Sequence, residues 1–315
     1  MELGEAATPA ACPACGGQLA AWRLAPAAEA GEPPVALARC ERCVSAVTLA
    51  PVPPDAHEAG DYAPRAPRGA LLAVPLLAAF DRRRLALLLP AMPPPARLLD
   101  AGAGRGRFVA AACRAGYAAT GLEPSARGVA AARGVYAVEL ERTGIEAAEI
   151  APASLDAISL WHVLEHVEDP GAALRALRGW LAPGGVLLVG VPNLASWQAR
   201  LGGGGWYHLD LPRHRTHFTP AGLEALLGAS GFEVERSHHV LAEHNPLGMW
   251  LAAVSRGTRR PSYLYHLLKR NAPLHSPDLL VTLAALPLLP AAAALELIAG
   301  LAGRGGTIAV VARAA

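Results

Sequence analysis

Charged residues are scarce in this chain of 315 residues. They make up 17% of it, and the formal net charge is only +2. Such a weak field does not by itself indicate nucleic acid as a partner. Apolar residues reach 53%, which excludes a disordered chain and predicts a globular protein with a sizeable core. The sequence also shows no internal repeat and no heptad array.

The start of the chain, MELGEAATPAACPAC, lacks both a basic segment and an apolar segment. A secretory signal peptide contains both, so we expect a cytoplasmic protein. Cysteines in a reducing cytoplasm hold metal ions more often than they form disulfides.

Four of the five cysteines form two Cys-x-x-Cys pairs, Cys12 with Cys15 and Cys40 with Cys43. Two such pairs are typical of a tetrahedral zinc site with no open position, and the zinc ion would therefore be structural. Disulfides or an unoccupied remnant are the alternatives. The spacing predicts a small zinc-binding module over residues 1–60, whose core is too small to fold without metal.

Beyond this module the chain alternates between short apolar stretches and helical ones. We predict a linker and one helix over 61–96, followed by an α/β core over 97–245 and 305–315. Strands that alternate with helices of this length are typical of a doubly wound, mostly parallel sheet. A weaker strand is expected within 136–145.

Residues 246–304 interrupt the alternation as an apolar helical insertion. The stretch 279–301 is long enough to span a bilayer, but Pro287, Pro290 and Glu296 interrupt it. We expect helices that cover the sheet or the substrate site. A peripheral membrane contact, which would make the protein membrane-associated, and a true membrane span are the alternatives.

A glycine-rich loop, DAGAGRG, follows the first apolar strand of the core. Such a loop lets the backbone approach a ligand that faces the next helix N-terminus. Position 107 is Arg107 instead of the last glycine of the dinucleotide-binding pattern GxGxxG. Glu123 ends the next strand, where a carboxylate can accept hydrogen bonds from both ribose hydroxyls.

Four segments, in this order, resemble class I S-adenosylmethionine-dependent methyltransferases: DAGAGRG, GLEPS, LDAISLWHVLEHVEDP and LAPGGVLLVGVPN. The resemblance covers 97–240 and the last strand at 307–313, and it is greatest to the group with an LEH segment after the fourth strand. It implies a seven-stranded Rossmann-like sheet that binds S-adenosylmethionine. The alternatives are another nucleotide ligand or a fold that has lost its ligand.

The resemblance also implies which residues hold the cofactor. Asp100, Gly102, Ala103 and Gly104 would line its methionine and ribose parts, and Glu123 would hold the ribose. Three further residues complete the implied set, with Ile145 bordering the adenine and Trp161 and His162 flanking the methionine end.

Methyl transfer from a sulfonium needs a base only where the acceptor must lose a proton. His162, Glu165 and His166 follow the fourth strand, and on a helical turn they share a face. They could act as a base pair or bind a divalent ion. The ubiquinone-pathway O-methyltransferases are similar here, with glutamate in place of His162. The alternative is that Glu165 and His166 have local structural roles.

A second polar cluster, WYHLDLPRHRTHFT, lies at 206–219 after four glycines at 202–205. Mobile glycines before clustered histidines favour a lid that closes over the acceptor, with His214 and His217 as further catalytic candidates. The alternative is a surface loop whose histidines bond the backbone.

These features predict a methyltransferase that acts on an oxygen, nitrogen or carbon atom of a small-molecule, sugar or lipid-like acceptor. The apolar insertion favours a hydrophobic acceptor. An RNA methyltransferase is the first alternative, but the first 60 residues carry three arginines against seven acidic residues, a poor match to phosphate. A non-catalytic interaction protein on this fold is the second alternative. The sequence indicates no oligomeric state.

Overall fold

The computed structural model describes residues 10–53, 70–243 and 245–315. Parts of the predicted cysteine module and linker therefore lie outside the described residues. The chain divides into two compact units, which we call the cysteine unit and the sheet unit. The cysteine unit comprises Met1–Leu72, Pro192–Leu223 and His238–Ile308. The sheet unit comprises Ala73–Val191, Glu224–Ser237 and Ala309–Ala315.

The described residues form the following strands and helices. The strands are β1 (Leu19–Ala25), β2 (Val35–Cys40), β3 (Ala46–Thr48), β4 (Arg97–Ala101), β5 (Ala118–Leu122), β6 (Leu155–Trp161), β7 (Leu181–Pro192), β8 (Thr216–His217), β9 (Phe232–His238) and β10 (Thr307–Ala314). The helices are α1 (Ala70–Leu88), α2 (Arg107–Arg114), α3 (Ala126–Ala131), α4 (Pro170–Trp180), α5 (Trp197–Gly202), α6 (Pro220–Ala229), α7 (Asn245–Val254), α8 (Tyr263–Leu268), α9 (Pro277–Ala285) and α10 (Leu289–Leu301).

The sheet unit is built on six strands in the order β5-β4-β6-β7-β10-β9. Strands β5, β4, β6 and β7 are mutually parallel. A parallel sheet is covered on both faces, which explains why its strands are continuous apolar runs. Leu98, Leu188 and Val311 belong to one buried cluster that also takes in Leu88 of α1 and Phe108 of α2.

The prediction of seven strands is not confirmed, because this sheet has six strands among the described residues. The weaker strand expected within 136–145 is reduced to an isolated parallel bridge between Leu122 and Glu141. This bridge lies between Ala137, which has a left-handed φ of 54°, and the 3-10 turn Ile145–Ala147.

The order of the parallel strands reverses at β4. The chain passes from β4 to β5 on one side and then returns to β6 on the other side of β4. In open α/β sheets a ligand binds at such a reversal, in the crevice outside the carboxyl ends of the strands. The fold therefore places the candidate site after β4, β5 and β6.

The cysteine unit contains a second sheet, with the strand order β1-β2-β3-β8 and antiparallel pairing. Its fourth strand comes from the polar cluster at 206–219, which we call the histidine-rich segment, because Ala46 pairs with His217 and Val47 with Thr216. The predicted domain boundaries stay predictions, but this pairing explains why Pro192–Leu223 groups with the cysteine pairs.

Candidate active site

Glycines shape the loop after β4. Gly102, Gly104 and Gly106 have φ values of 77°, 56° and 76°, in the left-handed region that favours glycine. A Cβ atom on Gly102 would lie 2.3 Å from Cγ2 of Val163, whereas one on Gly104 would have no atom within 4 Å. Packing thus requires the first glycine, and the second leaves open space beside the backbone.

Glu123 is fixed against this loop by two backbone donors. Its Oε2 atom accepts a hydrogen bond from Gly104 N at 2.7 Å, and its Oε1 atom accepts one from Ser125 N at 2.9 Å. Burial raises the pKa of Glu123, and the two N–H donors oppose that rise. A carboxylate has about four acceptor positions, so two further hydroxyl donors can be accommodated.

Asp100 at the end of β4 is buried and forms an internal ion pair. Arg84 of α1 donates to its Oδ1 atom and also to Ser159 Oγ of β6. Burial raises the pKa of Asp100, and the Arg84 guanidinium counteracts that rise. Sequence reasoning missed Arg84. The charged run from Asp81 to Arg84 inside an apolar helix could have indicated it, since buried charges need partners.

Trp161 ends β6 with its indole against β7, where a Cβ atom on Gly190 would lie 2.6 Å from Trp161 Cε3. The Nε1 atom of Trp161 is buried, and no described residue accepts a hydrogen bond from it. An unsatisfied buried donor is rare in a folded protein and points to a ligand or water.

His162 follows Trp161 in an unusual backbone conformation, with a φ of 55°. Its N–H donates to Gly190 O at 2.9 Å, and its Nδ1 atom lies 3.1 Å from Oε1 of Glu165. Glu165 is 1% exposed. The structure thus brings together the two residues that the i, i+3 spacing pairs, although on a turn instead of a helix. Strain of this kind amounts to about 1–3 kcal/mol and clusters at functional sites.

The other predicted site residues have these positions. Ala103 N donates to Leu122 O at 2.8 Å, as part of the loop after β4. Ile145 is buried in its 3-10 turn. His166 is half-buried, and its N–H donates to Val163 O at 2.9 Å. Their roles toward cofactor and acceptor stay predictions.

His214 and His217 belong to the cysteine unit and are both buried. Nδ1 of His214 lies 2.8 Å from His208 O, and Nε2 of His217 lies 3.0 Å from Thr48 Oγ1. The expected lid is here a packed segment, because the pairing of β8 with β3 holds it in a sheet. A catalytic role for either histidine stays a prediction.

Comparison with known proteins identifies the family. Residues 76–237 match a family model described as a methyltransferase domain. The chain belongs to this methyltransferase family.

Two curated relatives of this chain are named ubiquinone biosynthesis O-methyltransferase. The protein from Sodalis glossinidius (strain morsitans) is 31% identical over 160 residues, which are 48% of this chain and 64% of that protein. The protein from Azorhizobium caulinodans is 32% identical over 150 residues, 44% of this chain and 59% of that protein. The chain thus spans about three fifths of the length of these relatives.

A solved structure of an S-adenosylmethionine-dependent methyltransferase from Archaeoglobus fulgidus is also similar to this chain. It has a TM-score of 0.48 and 17% sequence identity, and the match covers 76% of this chain and 93% of that chain.

The carboxyl edge of the six-stranded sheet carries residues whose chemistry fits S-adenosylmethionine. Open space beside Gly104 admits a ligand to the backbone, Glu123 offers acceptors for the ribose hydroxyls, and Trp161 Nε1 offers a buried donor. These three features lie at the ends of β4, β5 and β6, where the strand order reverses.

In the cysteine unit, the four paired cysteines come together. The Sγ atoms of Cys12 and Cys43 lie 3.7 Å apart, those of Cys15 and Cys40 lie 3.5 Å apart, and all four lie within 4.8 Å of one another. Four thiolates on a tetrahedral zinc ion are about 3.8 Å apart, given zinc–sulfur bonds of about 2.3 Å. A hydrogen bond from Cys12 lowers the pKa of the Cys43 thiol, which favours its thiolate form.

Proposed function

We propose that this protein transfers a methyl group from S-adenosylmethionine to an oxygen atom of a small, apolar acceptor. The observation that carries the proposal is the pair of His162 and Glu165 at the end of β6. An oxygen acceptor loses a proton during the transfer, and a positioned histidine is the commonest base for that task. Relatives named O-methyltransferases support the choice of oxygen.

The chain's own residues bind and orient the donor in this proposal. Glu123 accepts the ribose hydroxyls, and Trp161 Nε1 donates to a polar atom of the ligand. When bound, S-adenosylmethionine supplies a methyl group whose bond to the sulfonium sulfur breaks as the new bond to oxygen forms, with the electron pair left on sulfur. Much of the rate enhancement then comes from alignment.

Glu165 positions His162 for its role as a base. A carboxylate only accepts hydrogen bonds, so the Nδ1 atom of His162 carries the proton of this pair and Nε2 carries the basic lone pair. The proton of the acceptor's hydroxyl passes to Nε2 during transfer. This arrangement also explains the strained backbone at His162, which turns the imidazole back onto the buried carboxylate.

We propose a small-molecule acceptor in preference to RNA because the first 60 residues are acidic. The apolar composition of 246–304 supports an acceptor of low polarity. A cytoplasmic location stays a prediction.

We also propose that Cys12, Cys15, Cys40 and Cys43 bind one structural zinc ion. The sulfur separations support tetrahedral coordination. The amides of Arg42 and Cys43 lie 3.4 and 3.5 Å from Cys40 Sγ, so they can donate to a thiolate. With four protein ligands the site has no open position for catalysis.

The test of the function is transfer of a labelled methyl group into a metabolite extract, with His162→Asn as the variant. Asparagine tolerates the left-handed backbone, so the chain should fold while the base is lost. We expect turnover to fall by about 10²–10⁴-fold, with S-adenosylmethionine affinity nearly unchanged. The exposed His275 provides the matched control, and His275→Asn should leave turnover intact.

Two results would contradict the proposal. Unchanged turnover in His162→Asn excludes His162 as the base. Cofactor binding without transfer to any component of the extract favours the non-catalytic interaction protein.

A further inference from the structure

One helical stretch of the cysteine unit exposes a large apolar surface. Pro277–Leu301, which contains α9 and α10, is apolar and long enough to cross a membrane, yet only 17% of its most apolar 18-residue window is buried. Leu280, Leu288 and Leu301 are 72%, 58% and 74% exposed. Exposed apolar surface of this extent marks an interaction site.

The opposite side of the same stretch is anchored in the protein by buried polar contacts. Glu296 accepts from Gly306 N and from Gln198 Nε2, both at 2.8 Å. Asp278 accepts from the backbone amides of Arg259 and Arg260 at 2.9 and 3.0 Å.

Apolar packing holds the same inner side. Ala292 and Ala299 of α10 belong to one buried cluster with Met249 and Trp250 of α7. A 3-10 turn at Leu286–Leu288 also divides the stretch. A helix pair held along one side can lie on a bilayer, but it cannot cross one while these contacts persist.

The exposed charge of the surrounding segment has a single sign. Residues 246–304 contain six lysines and arginines and two acidic residues. The two acidic residues are Asp278 and Glu296, each 4% exposed and turned inward. All exposed charge on this segment is therefore positive.

Three exposed arginines flank the apolar surface. Arg256 lies close to α9, because a Cβ atom on the next residue, Gly257, would be 3.4 Å from Val281 of α9. Arg304 lies three residues beyond the end of α10. Arg259 adjoins the start of α9 through its amide contact with Asp278. The guanidinium groups of Arg256 and Arg304 donate to the backbone carbonyls of Leu201 and Ala195. These acceptors are neutral, so the two hydrogen bonds do not cancel the charge of the arginines.

We propose that α9 and α10 dock the protein on an anionic lipid bilayer and lie in its interface. Apolar side chains enter the acyl boundary, and flanking arginines meet the headgroups, as in other interfacial helices. The one-signed charge favours lipid over a second copy of this chain, because a symmetric pairing of the same face would bring its arginines together. The inference stands independently of the methyl acceptor.

The test is flotation of the full chain with two kinds of vesicle, phosphatidylcholine alone and phosphatidylcholine mixed with anionic phosphatidylglycerol. We expect binding to the anionic vesicles in about 0.1 M salt and its loss in about 1 M salt, where charges are screened. Vesicles of phosphatidylcholine alone should bind at least about tenfold more weakly.

Two sets of surface substitutions, each with a matched control, assign the face. The triple variant Leu280→Ser, Leu288→Ser and Leu301→Ser should weaken binding about a hundredfold. The control variant Leu24→Ser with Leu89→Ser, at residues 50% and 41% exposed, should bind like the wild type.

The triple charge reversal Arg256→Glu, Arg259→Glu and Arg304→Glu should abolish the preference for anionic lipid. The same reversal at the exposed Arg114, Arg142 and Arg175 should retain it. Circular dichroism confirms that each variant is folded.

Three outcomes would overturn the proposal. If vesicle binding is unchanged by lipid charge and by both sets of substitutions, the membrane contact lies on another part of the protein. If alkaline carbonate does not extract the protein from the vesicles, the protein spans the bilayer. If the wild type sediments as a dimer and does not bind vesicles, and the triple leucine variant is a monomer, then a second copy of the chain covers the apolar surface.

Discussion

At the scale of single residues, two glycines in the loop after β4 share a left-handed backbone but have different surroundings. Gly102 is enclosed by Val163, and Gly104 borders open space. A side chain at Gly102 is therefore a packing problem, while one at Gly104 affects whatever ligand the loop binds.

The two alanine variants should consequently fail in different ways. Each substitution adds backbone strain of about 1–2 kcal/mol, and Gly102→Ala adds overlap of about 1–3 kcal/mol. Urea unfolding should show the larger loss for Gly102→Ala. Calorimetry should show weaker cofactor binding in Gly104→Ala, whose new methyl group enters the ligand space. Equal losses of stability, with cofactor affinity intact in Gly104→Ala, would contradict this interpretation.

The ion pair of Arg84 and Asp100 gives a prediction about pH. Arg84→Met leaves a buried carboxylate without its cation and should lower the free energy of unfolding by about 3–5 kcal/mol at neutral pH. Burial already raises the pKa of Asp100, and loss of Arg84 raises it further. The folded variant therefore takes up a proton at a pH where an unfolded aspartate, with a pKa of about 3.9, is still ionised.

The stability lost in Arg84→Met should therefore shrink as pH falls toward the raised pKa of Asp100. Urea unfolding at several pH values measures the trend. Arg84→Met combined with Asp100→Asn removes the charge and should recover much of the loss at neutral pH. A deficit that stays constant with pH and persists in the double variant would show that Arg84 acts through packing alone.

At the scale of elements, α6 begins where the cysteine pairs meet the histidine-rich segment. Thr219 Oγ1 donates to Cys43 O at 2.6 Å, and Thr219 N donates to Ser45 Oγ at 3.1 Å. Gly222 permits this approach, since a Cβ atom there would lie 2.1 Å from Ser45 Oγ. Gly228, on the same helix, has no atom within 4 Å of such a Cβ position.

Alanine at the two helical glycines should accordingly have opposite effects. Gly228→Ala should raise the free energy of unfolding by about 0.5–1 kcal/mol, because alanine is the better helix former. Gly222→Ala gains the same propensity but displaces Ser45, and it should destabilise the protein. Thermal unfolding of both variants measures the contrast. A stabilised Gly222→Ala would mean that the contact between α6 and the cysteine pairs is dispensable.

How much of the structure could be predicted depends on how far apart in the sequence the contacting residues lie. The loop glycines, Glu123 and the four cysteines belong to short motifs, and their local geometry follows from spacing. Arg84 lies 16 residues before Asp100 and pairs with it through tertiary packing, which periodicity does not reveal. The pairing of β3 with β8 joins Ala46 to His217 and Val47 to Thr216. These residues are far apart in the sequence, so the sequence predicts a lid where the structure has a strand.

At the scale of the whole molecule, two separate features carry the proposed activity and the proposed zinc site. The proposed cofactor-binding edge belongs to the sheet unit, and the four cysteines belong to the cysteine unit. Metal binding to a small module contributes directly to its folding. Zinc should therefore support the stability of the chain without supplying a reactive group.

Removal of the metal tests this division. Elemental analysis should find one zinc ion per chain in the wild type and less in Cys12→Ser, whose Tm should fall by about 2–4 °C for each kcal/mol lost. Cys113→Ser is the matched control because Cys113 is exposed and lies outside the cluster. A wild type that contains no zinc, or a chelator that leaves Tm unchanged, would contradict the zinc proposal.

The most direct test of the cofactor assignment is calorimetric titration of the full chain with S-adenosylmethionine, for the wild type and for Glu123→Gln. We predict binding at one site, weakened about tenfold to a hundredfold in the variant. Wild-type affinity should also fall as pH drops through the raised pKa of Glu123, while the variant stays weak throughout. The exposed Glu149 supplies the control, Glu149→Gln, which should bind normally. No binding by the wild type, or equal binding by Glu123→Gln, would contradict the account.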